Sequence, residues 1–173
     1  MKKYELTEET FTVFGKTLYR IRAVRDFGSV KTGEFGGYIE KEENLSHFGN
    51  AWISGDAWVY GDARVSGNAW IYGDARVFGD ARVSGNARVF GNAEVFNTRH
   101  FFVQGPIGSR DGYVTFYRTK DDTVEVRCGC FSGSLQEFVN QVEETHGGSR
   151  YEKEYKLAAE LAKVCIRLEG ESR

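Results

Sequence analysis

From Gly49 to Phe96 the chain repeats every six residues without a break, as GNAWIS, GDAWVY, GDARVS, GNAWIY, GDARVF, GDARVS, GNARVF and GNAEVF. In each unit an Ala at the third place and a Val or Ile at the fifth alternate with outward residues, the strand period of two with one face buried. Gly followed by Asp or Asn supplies the turn, because Gly accepts positive φ and Asx side chains hydrogen-bond nearby backbone. A longer period fixes the number of sides. Units one, four and seven share Asn50, Asn68 and Asn86, Trp52 recurs as Trp70, Asp56 recurs as Asp74, and units three and six are the same string, GDARVS. Likeness at every third unit means three sides per coil, with each residue stacked on the one 18 later at about 4.8 Å. An antiparallel meander has no need of that register. The expected fold is therefore mainly β, a three-sided left-handed parallel β-helix.

Eight units make fewer than three coils, so both open ends need covers. GYIEKE at 37–42 and ENLSHF at 43–48 read as degenerate units in the same register, with Ile39 and Leu45 at the Ala place and His47 at the Val place. Ahead of them, apolar runs at Phe11 to Phe14 and Leu18 to Ile21 around Gly15-Lys16 predict a β cap, a hairpin within residues 1–36. The β-helix is expected over 37–102 and a small α+β segment over 103–173. In that segment Tyr113 to Arg118 and Thr123 to Arg127 read as a hairpin. The pairs Ser134/Glu137 and Ser149/Glu152 open two helices, and Gly147-Gly148 ends the first. The second helix carries Tyr155, Ala158, Leu161, Ala162, Cys165 and Leu168 as a core-facing stripe.

Charge excludes some partners. Lys and Arg number 23 against 25 Asp and Glu, a net charge of −2, so no global field draws the chain to nucleic acid or to a membrane surface. The sequence has neither a long apolar run nor a charged start followed by an apolar stretch, and a cytoplasmic place is expected. The three cysteines, Cys128, Cys130 and Cys165, are odd in number and are expected to be reduced. A lone Cys128-Gly-Cys130 lacks the second paired motif of a zinc site, so no metal is expected.

The outward positions carry more chemistry than any motif. Side one has Trp52, Trp70 and Arg88 with Ser54, Tyr72 and Phe90; side two has Trp58, Arg76 and Glu94 with Tyr60, Phe78 and Phe96; side three has Arg64 and Arg82 with Ser66 and Ser84. Two aromatic sides imply cover, by the terminal segments or by another copy of the chain. Clefts lined by Trp, Tyr and Arg suit stacking on a ring and holding phosphate, and subunit packing alone is the plainer use of the same residues. Gly105-Pro-Ile-Gly-Ser-Arg110 is either an exit turn or a nest of backbone N–H groups for an anion, with Arg110 beside it.

The pattern [Val/Ile]-x-Gly-[Asp/Asn]-Ala-x resembles the hexapeptide repeats of acyltransferases, whose left-handed β-helices associate as trimers, and a homotrimer is expected. That resemblance implies an acyl-CoA substrate and a general-base His. The candidates are His47 and His100, three coils apart by register or roughly 14 Å, too far to share a substrate within one subunit. No loop leaves the repeats, and no cofactor is expected. The strings KYELTEETFTVFGKTLYRIRAVRDFGSVKTGEFGGYIEKEENLS, GPIGSRDGYVTFYRTKDD, CGCFSG and ETHG, with the GDARVS-type repeats, resemble a family of phage and prophage hexapeptide-repeat proteins along nearly the whole chain. This implies a viral accessory protein in a bacterial cytoplasm. The leading expectation is a non-catalytic binding protein that evades host defence by capturing a phosphate-bearing small molecule or a host defence protein. Acyl transfer and a structural polymer are the alternatives.

Overall fold

The computed structural model describes residues 1–169. The chain forms two compact units, Met1–Thr98 and Arg99–Arg173, each treated by itself below.

The first unit is a parallel β-solenoid of about three turns. Its eight two-residue strands are β4 (Trp52–Ile53), β5 (Trp58–Val59), β6 (Arg64–Val65), β7 (Trp70–Ile71), β8 (Arg76–Val77), β9 (Arg82–Val83), β10 (Arg88–Val89) and β11 (Glu94–Val95). They follow β1 (Tyr4–Val13), β2 (Lys16–Ala23) and β3 (Phe35–Ile39). Side one is β4-β7-β10, side two contains β5-β8-β11, and side three is β6-β9. Every pairing among the eight is parallel with partners 18 apart, such as Trp52 on Trp70 and Arg64 on Arg82. All eight repeat Ala and all eight repeat Val or Ile residues are at most 1% exposed, so the apolar alternation closes into one continuous core. Each corner glycine from Gly49 to Gly91 has φ between 61° and 73°, the left-handed region that the turn demands. On one corner the Asn side chains form their own ladder, Asn50 Nδ2 donating to Asn68 Oδ1 at 3.2 Å and Asn68 Nδ2 to Asn86 Oδ1 at 3.1 Å.

The expected hairpin cap exists, with its tip at Phe14-Gly15. It joins side two by edge pairing: β2 runs antiparallel to β3, and β3 runs parallel to β5, giving one sheet in the order β1-β2-β3-β5-β8-β11.

The register ahead of Gly49 differs from the expected one. Ile39 pairs with Val59 and Leu45 with Val65, both 20 residues apart, so each stands at the Val place and not the Ala place. Both side chains are fully buried, and a Leu or Ile is too large for the corner that Ala fills. Beside Leu45, Asn44 is buried on side three, where its Nδ2 donates to Ala63 O at 2.9 Å and Gly61 O at 3.1 Å. From Leu45 to Ile53 the chain advances eight residues where a repeat advances six, so the stretch between them holds two extra residues. His47 therefore does not occupy a Val place. The first carbonyl of side one, Ala51 O, has no earlier strand and instead accepts from Lys3 Nζ at 2.6 Å. Side chains thus finish the edge where backbone runs out.

The second unit is an antiparallel sheet in the order β12-β13-β14-β15, formed by Phe101–Ile107, Gly112–Arg118, Val124–Cys128 and Phe131–Ser134. Helices α1 (Leu135–His146) and α2 (Arg150–Cys165) pack on it around Val114, Phe116, Val126, Phe138 and Ala159. The predicted hairpin is β13-β14, and β12 and β15 extend it to four strands. Gly105-Pro106 lies inside β12 and is not an exit turn; β12 is an edge strand, and its pairing skips from Gln104 to Ile107, so proline removes no ladder bond. Ser134 and Glu137 make the reciprocal cap of α1, and Ser149 caps α2. The α2 stripe is rotated from the expected one: Ala158, Ala159, Ala162 and Ile166 are buried, while Leu161 is 47% exposed.

Candidate functional site

The structure disperses the aromatic residues and gathers the arginines of side three. Trp52 is fully buried, with the Phe27 ring at 5.3 Å and the Tyr4 ring at 6.4 Å, so the N-terminal segment closes over it. Trp58 is half-buried, with Phe11 of β1 edge-on at 5.1 Å and the Arg76 guanidinium 4.5 Å from its ring. Tyr60 is 9% exposed and stacks on Phe78 at 5.1 Å, and Phe78 stacks on Phe96 at the same distance. Trp70 is half-buried in the rung between Trp52 and Arg88, and Tyr72 lies 4.7 Å from Phe90. Much of the aromatic surface is thus covered by the chain's own first residues or by like stacked on like.

On side three the outward residues stay open. A cavity of about 520 Å³ is lined by Glu42, Glu43, Leu45, Ser46, His47 and Phe48 together with Arg64, Val65, Ser66, Arg82 and Ser84. Its back wall is the β6-β9 ladder, which sets Arg64 directly over Arg82, and both are exposed. Among the described residues neither makes a hydrogen bond or an ion pair, although Arg64 lies close enough to Asp62 to help depress its carboxyl. Two guanidinium groups on adjacent strands repel by only about 1 kcal/mol in water, and each offers a planar fork of donors.

The opposite wall is the two-residue insertion. It turns Phe48 outward, 83% exposed, and tucks His47 against the cap. The His47 ring stacks on Tyr4 at 4.3 Å, its Nδ1 accepts from the Lys3 backbone N–H at 3.3 Å, and its Nε2 lies 3.5 Å from a Glu42 carboxylate oxygen. Glu42 also pairs with Lys2 at 2.5 Å, and that ammonium above all holds its carboxyl below the usual range. Tyr4 donates to Leu45 O at 2.7 Å, and burial pushes its phenol up. Lys3 is fully buried above the first coil, and burial, aided by the Arg25 charge, lowers its ammonium to about 8. The rim is therefore a fixed part of the fold.

The remaining candidates lie in the second unit. His100 is 6% exposed, and it belongs to a different unit from His47. Arg110 is exposed in the β12–β13 turn. The nest beside it is already filled, because Gly108 N–H donates to a carboxylate oxygen of Glu154 on α2 at 2.7 Å. Cys128 is half-buried and has its thiol pushed up by burial, while Tyr155 is itself pushed up to about 12, first by burial. His146 stacks on Tyr155 at 5.6 Å. Among the described residues no group of His, Cys, Asp or Glu is arranged to hold a metal ion, and no helix is long and apolar enough to cross a membrane.

Reasoning from sequence identified Arg64, Arg82, Ser66, Ser84 and His47 but missed Phe48, Glu42 and Glu43. The signal was present: eight residues separate Leu45 from Ile53, the nearest apolar residues that can fill Val places, and the repeat allows six.

The same coil accounts for what the chain is similar to. The YdcK beta solenoid repeat matches three times in succession, over residues 57–71, 69–83 and 81–95. The chain carries β-solenoid repeats. Successive matches to this repeat begin 12 residues apart, two six-residue sides, whereas the ladder closes every 18, three sides and one full turn. The matched span includes both arginines and ends ahead of the second unit. A comparison with curated proteins gives no match.

Proposed function

We propose that the chain is a non-catalytic binding protein whose third solenoid side captures a small phosphate-bearing ligand. The observation that carries this reading is Arg64 stacked over Arg82 in the open cavity, with no acidic side chain among the described residues in an ion pair with either and with Ser66 and Ser84 lining the same cavity. Arginine forks match phosphate oxygens bidentately, and hydroxyls complete such a shell. The resemblance to phage and prophage proteins supports placing this capture in evasion of host defence in a bacterial cytoplasm. The resemblance to trimeric hexapeptide proteins supports a homotrimer, for which light scattering should return three chain masses.

Acyl transfer has less support, because the His47 ring is already held in place, its Nδ1 by the Lys3 backbone N–H, its Nε2 beside the Glu42 carboxylate and its face on Tyr4. Capture of a host protein is favoured by one separate observation: Leu157, Leu161 and Val164 are 70%, 47% and 81% exposed and recur at helical spacing on α2.

The test of the phosphate reading is calorimetric titration of the purified protein with inorganic phosphate and pyrophosphate at low ionic strength. Saturable binding should appear, should weaken with added salt, and should be lost when Arg64→Ala and Arg82→Ala are combined. Absence of saturation with either anion, or equal binding by the double variant, refutes the assignment.

A further inference from the structure

We infer that the ligand is a nucleoside diphosphate, its diphosphate on Arg64 and Arg82 and its base on Phe48; this rests on the phosphate reading above. Three features of the cavity select that class. First, the β6-β9 ladder presents two arginines, and the rung above it, Leu45 on Val65, is flanked by Asn44 and Ser46 and carries no arginine for a further phosphate. Neighbouring strands lie about 4.8 Å apart, close enough for two flexible guanidinium groups to grip adjacent phosphoryl groups of one molecule.

Second, Phe48 is a large apolar side chain held almost wholly in water at the rim, 83% exposed, while its neighbour His47 is packed against Tyr4. The rim stands one coil above Arg64 and two above Arg82, about 10 Å from the far arginine at the strand spacing. An extended nucleotide can reach from a base on that ring to a second phosphate on Arg82, whereas a lone phosphate or a nucleoside cannot. Base stacking on an aromatic face adds affinity without demanding a particular base.

Third, the charge is graded along the cavity. In the order of the rungs Arg82 comes first, Arg64 lies above it, and Glu42 and Glu43 lead into the rung above Arg64. Glu42 is already engaged by Lys2 and faces His47, and Glu43 is exposed on the rim side. The carboxylates thus flank the uncharged nucleoside, whose hydroxyl and amine groups are donors, and they would repel phosphates placed at that end. The polarity fixes one orientation.

The experiment is calorimetry with ADP, AMP and inorganic pyrophosphate on the full chain and on the single variants Phe48→Ala and Arg82→Ala. ADP should bind about tenfold tighter than pyrophosphate through its stacked base, and Phe48→Ala should remove that advantage while leaving pyrophosphate unchanged. Arg82→Ala should weaken ADP about tenfold and reduce it to the affinity of AMP. Phe48 is at the surface, so this variant tests the ring without threatening the fold. If pyrophosphate binds but ADP binds no tighter, or if Phe48→Ala weakens both alike, the nucleoside assignment is wrong and the phosphate site stands. If neither pyrophosphate nor ADP binds, the phosphate reading itself is overturned.

Discussion

Replacing Gly49, Gly67 and Gly85 with alanine one at a time separates two constraints that a solenoid corner imposes together. The three occupy one corner on successive coils with nearly the same φ, 70°, 68° and 69°. An L-residue in that region costs roughly 1–2 kcal/mol, of which roughly 0.4–1 is returned by the lower entropy of the unfolded alanine chain, so backbone strain alone gives about 1 kcal/mol at each site. The room for a methyl group differs. A Cβ at Gly85 meets no described atom within 4 Å, one at Gly67 falls 3.0 Å from Gly85 N, and one at Gly49 falls 2.4 Å from Gly67 O. That oxygen is also the acceptor for the backbone N–H groups of Asn50 and Ala51 at 2.8 Å, so it cannot withdraw without loosening the rung. Overpacking against backbone adds roughly 1–3 kcal/mol, so we expect about 1 kcal/mol for Gly85→Ala, about 2–3 for Gly67→Ala, and 3 or more for Gly49→Ala. Urea unfolding followed by tryptophan fluorescence measures this cleanly, because all three tryptophans, at 52, 58 and 70, lie in the solenoid. Equal losses at the three sites would show that φ alone governs the corner and that coil stacking does not constrain it.

Three further outcomes follow from the same contacts. Asn44→Ala strips a donor from Ala63 O and Gly61 O and should destabilise the solenoid by about 1–3 kcal/mol in urea titration, with Ser46 and Val65 still paired; a loss below a few tenths would mean that water replaces the amide freely. Ile71→Ala, at a fully buried position between Ile53 and Val89, should cost about 2–5 kcal/mol and Ile71→Val about 1, and a smaller loss for alanine would indicate collapse of the coil around the gap. Lys3 is lowered to about 8 in the folded chain against 10.5 when free, so above pH 8 the unfolded state holds its proton more often and stability rises with pH. The gain should reach about 2 kcal/mol near pH 10, beyond which Tyr4, whose phenol is raised, turns the trend downward; Lys3→Met should abolish the rise, and an unchanged rise in that variant would assign it elsewhere.

The eight coiled units were fully legible because every unit repeats the same local demand: glycine at the corner, alanine behind it, a branched residue inside. The capping hairpin and both helix starts were legible for similar reasons, since Gly15, Ser134 and Ser149 act within a few residues of their own positions. What could not be read depends on partners far along the chain. Trp52 sits at an outward place of its strand and is nonetheless buried, because Tyr4 and Phe27 return over it. Lys3 is charged and buried because a carbonyl 48 residues away lacks a strand. In α2 the alanines face the core and the larger apolar residues Leu157, Leu161 and Val164 do not, against the usual stripe. The site divides the same way. Its arginines follow from the period, and its opposite wall follows from a break in the period.

The uniform rung also governs how the first unit assembles in time. Each ladder contact among the eight repeats spans 18 residues, so adding a rung closes the same length of chain each time and the entropic charge per step is constant. The rungs above them span 20, and the contacts that seat the first residues, Lys3 to Ala51 and Tyr4 to Leu45, span 48 and 41. Long closures reward the chain only after both ends are in place, so the cap is the step that waits for the coil. Hydrogen exchange should then find the amides of Ala69 to Val77 the slowest in this unit, and the wall that carries Phe48 among the first to open.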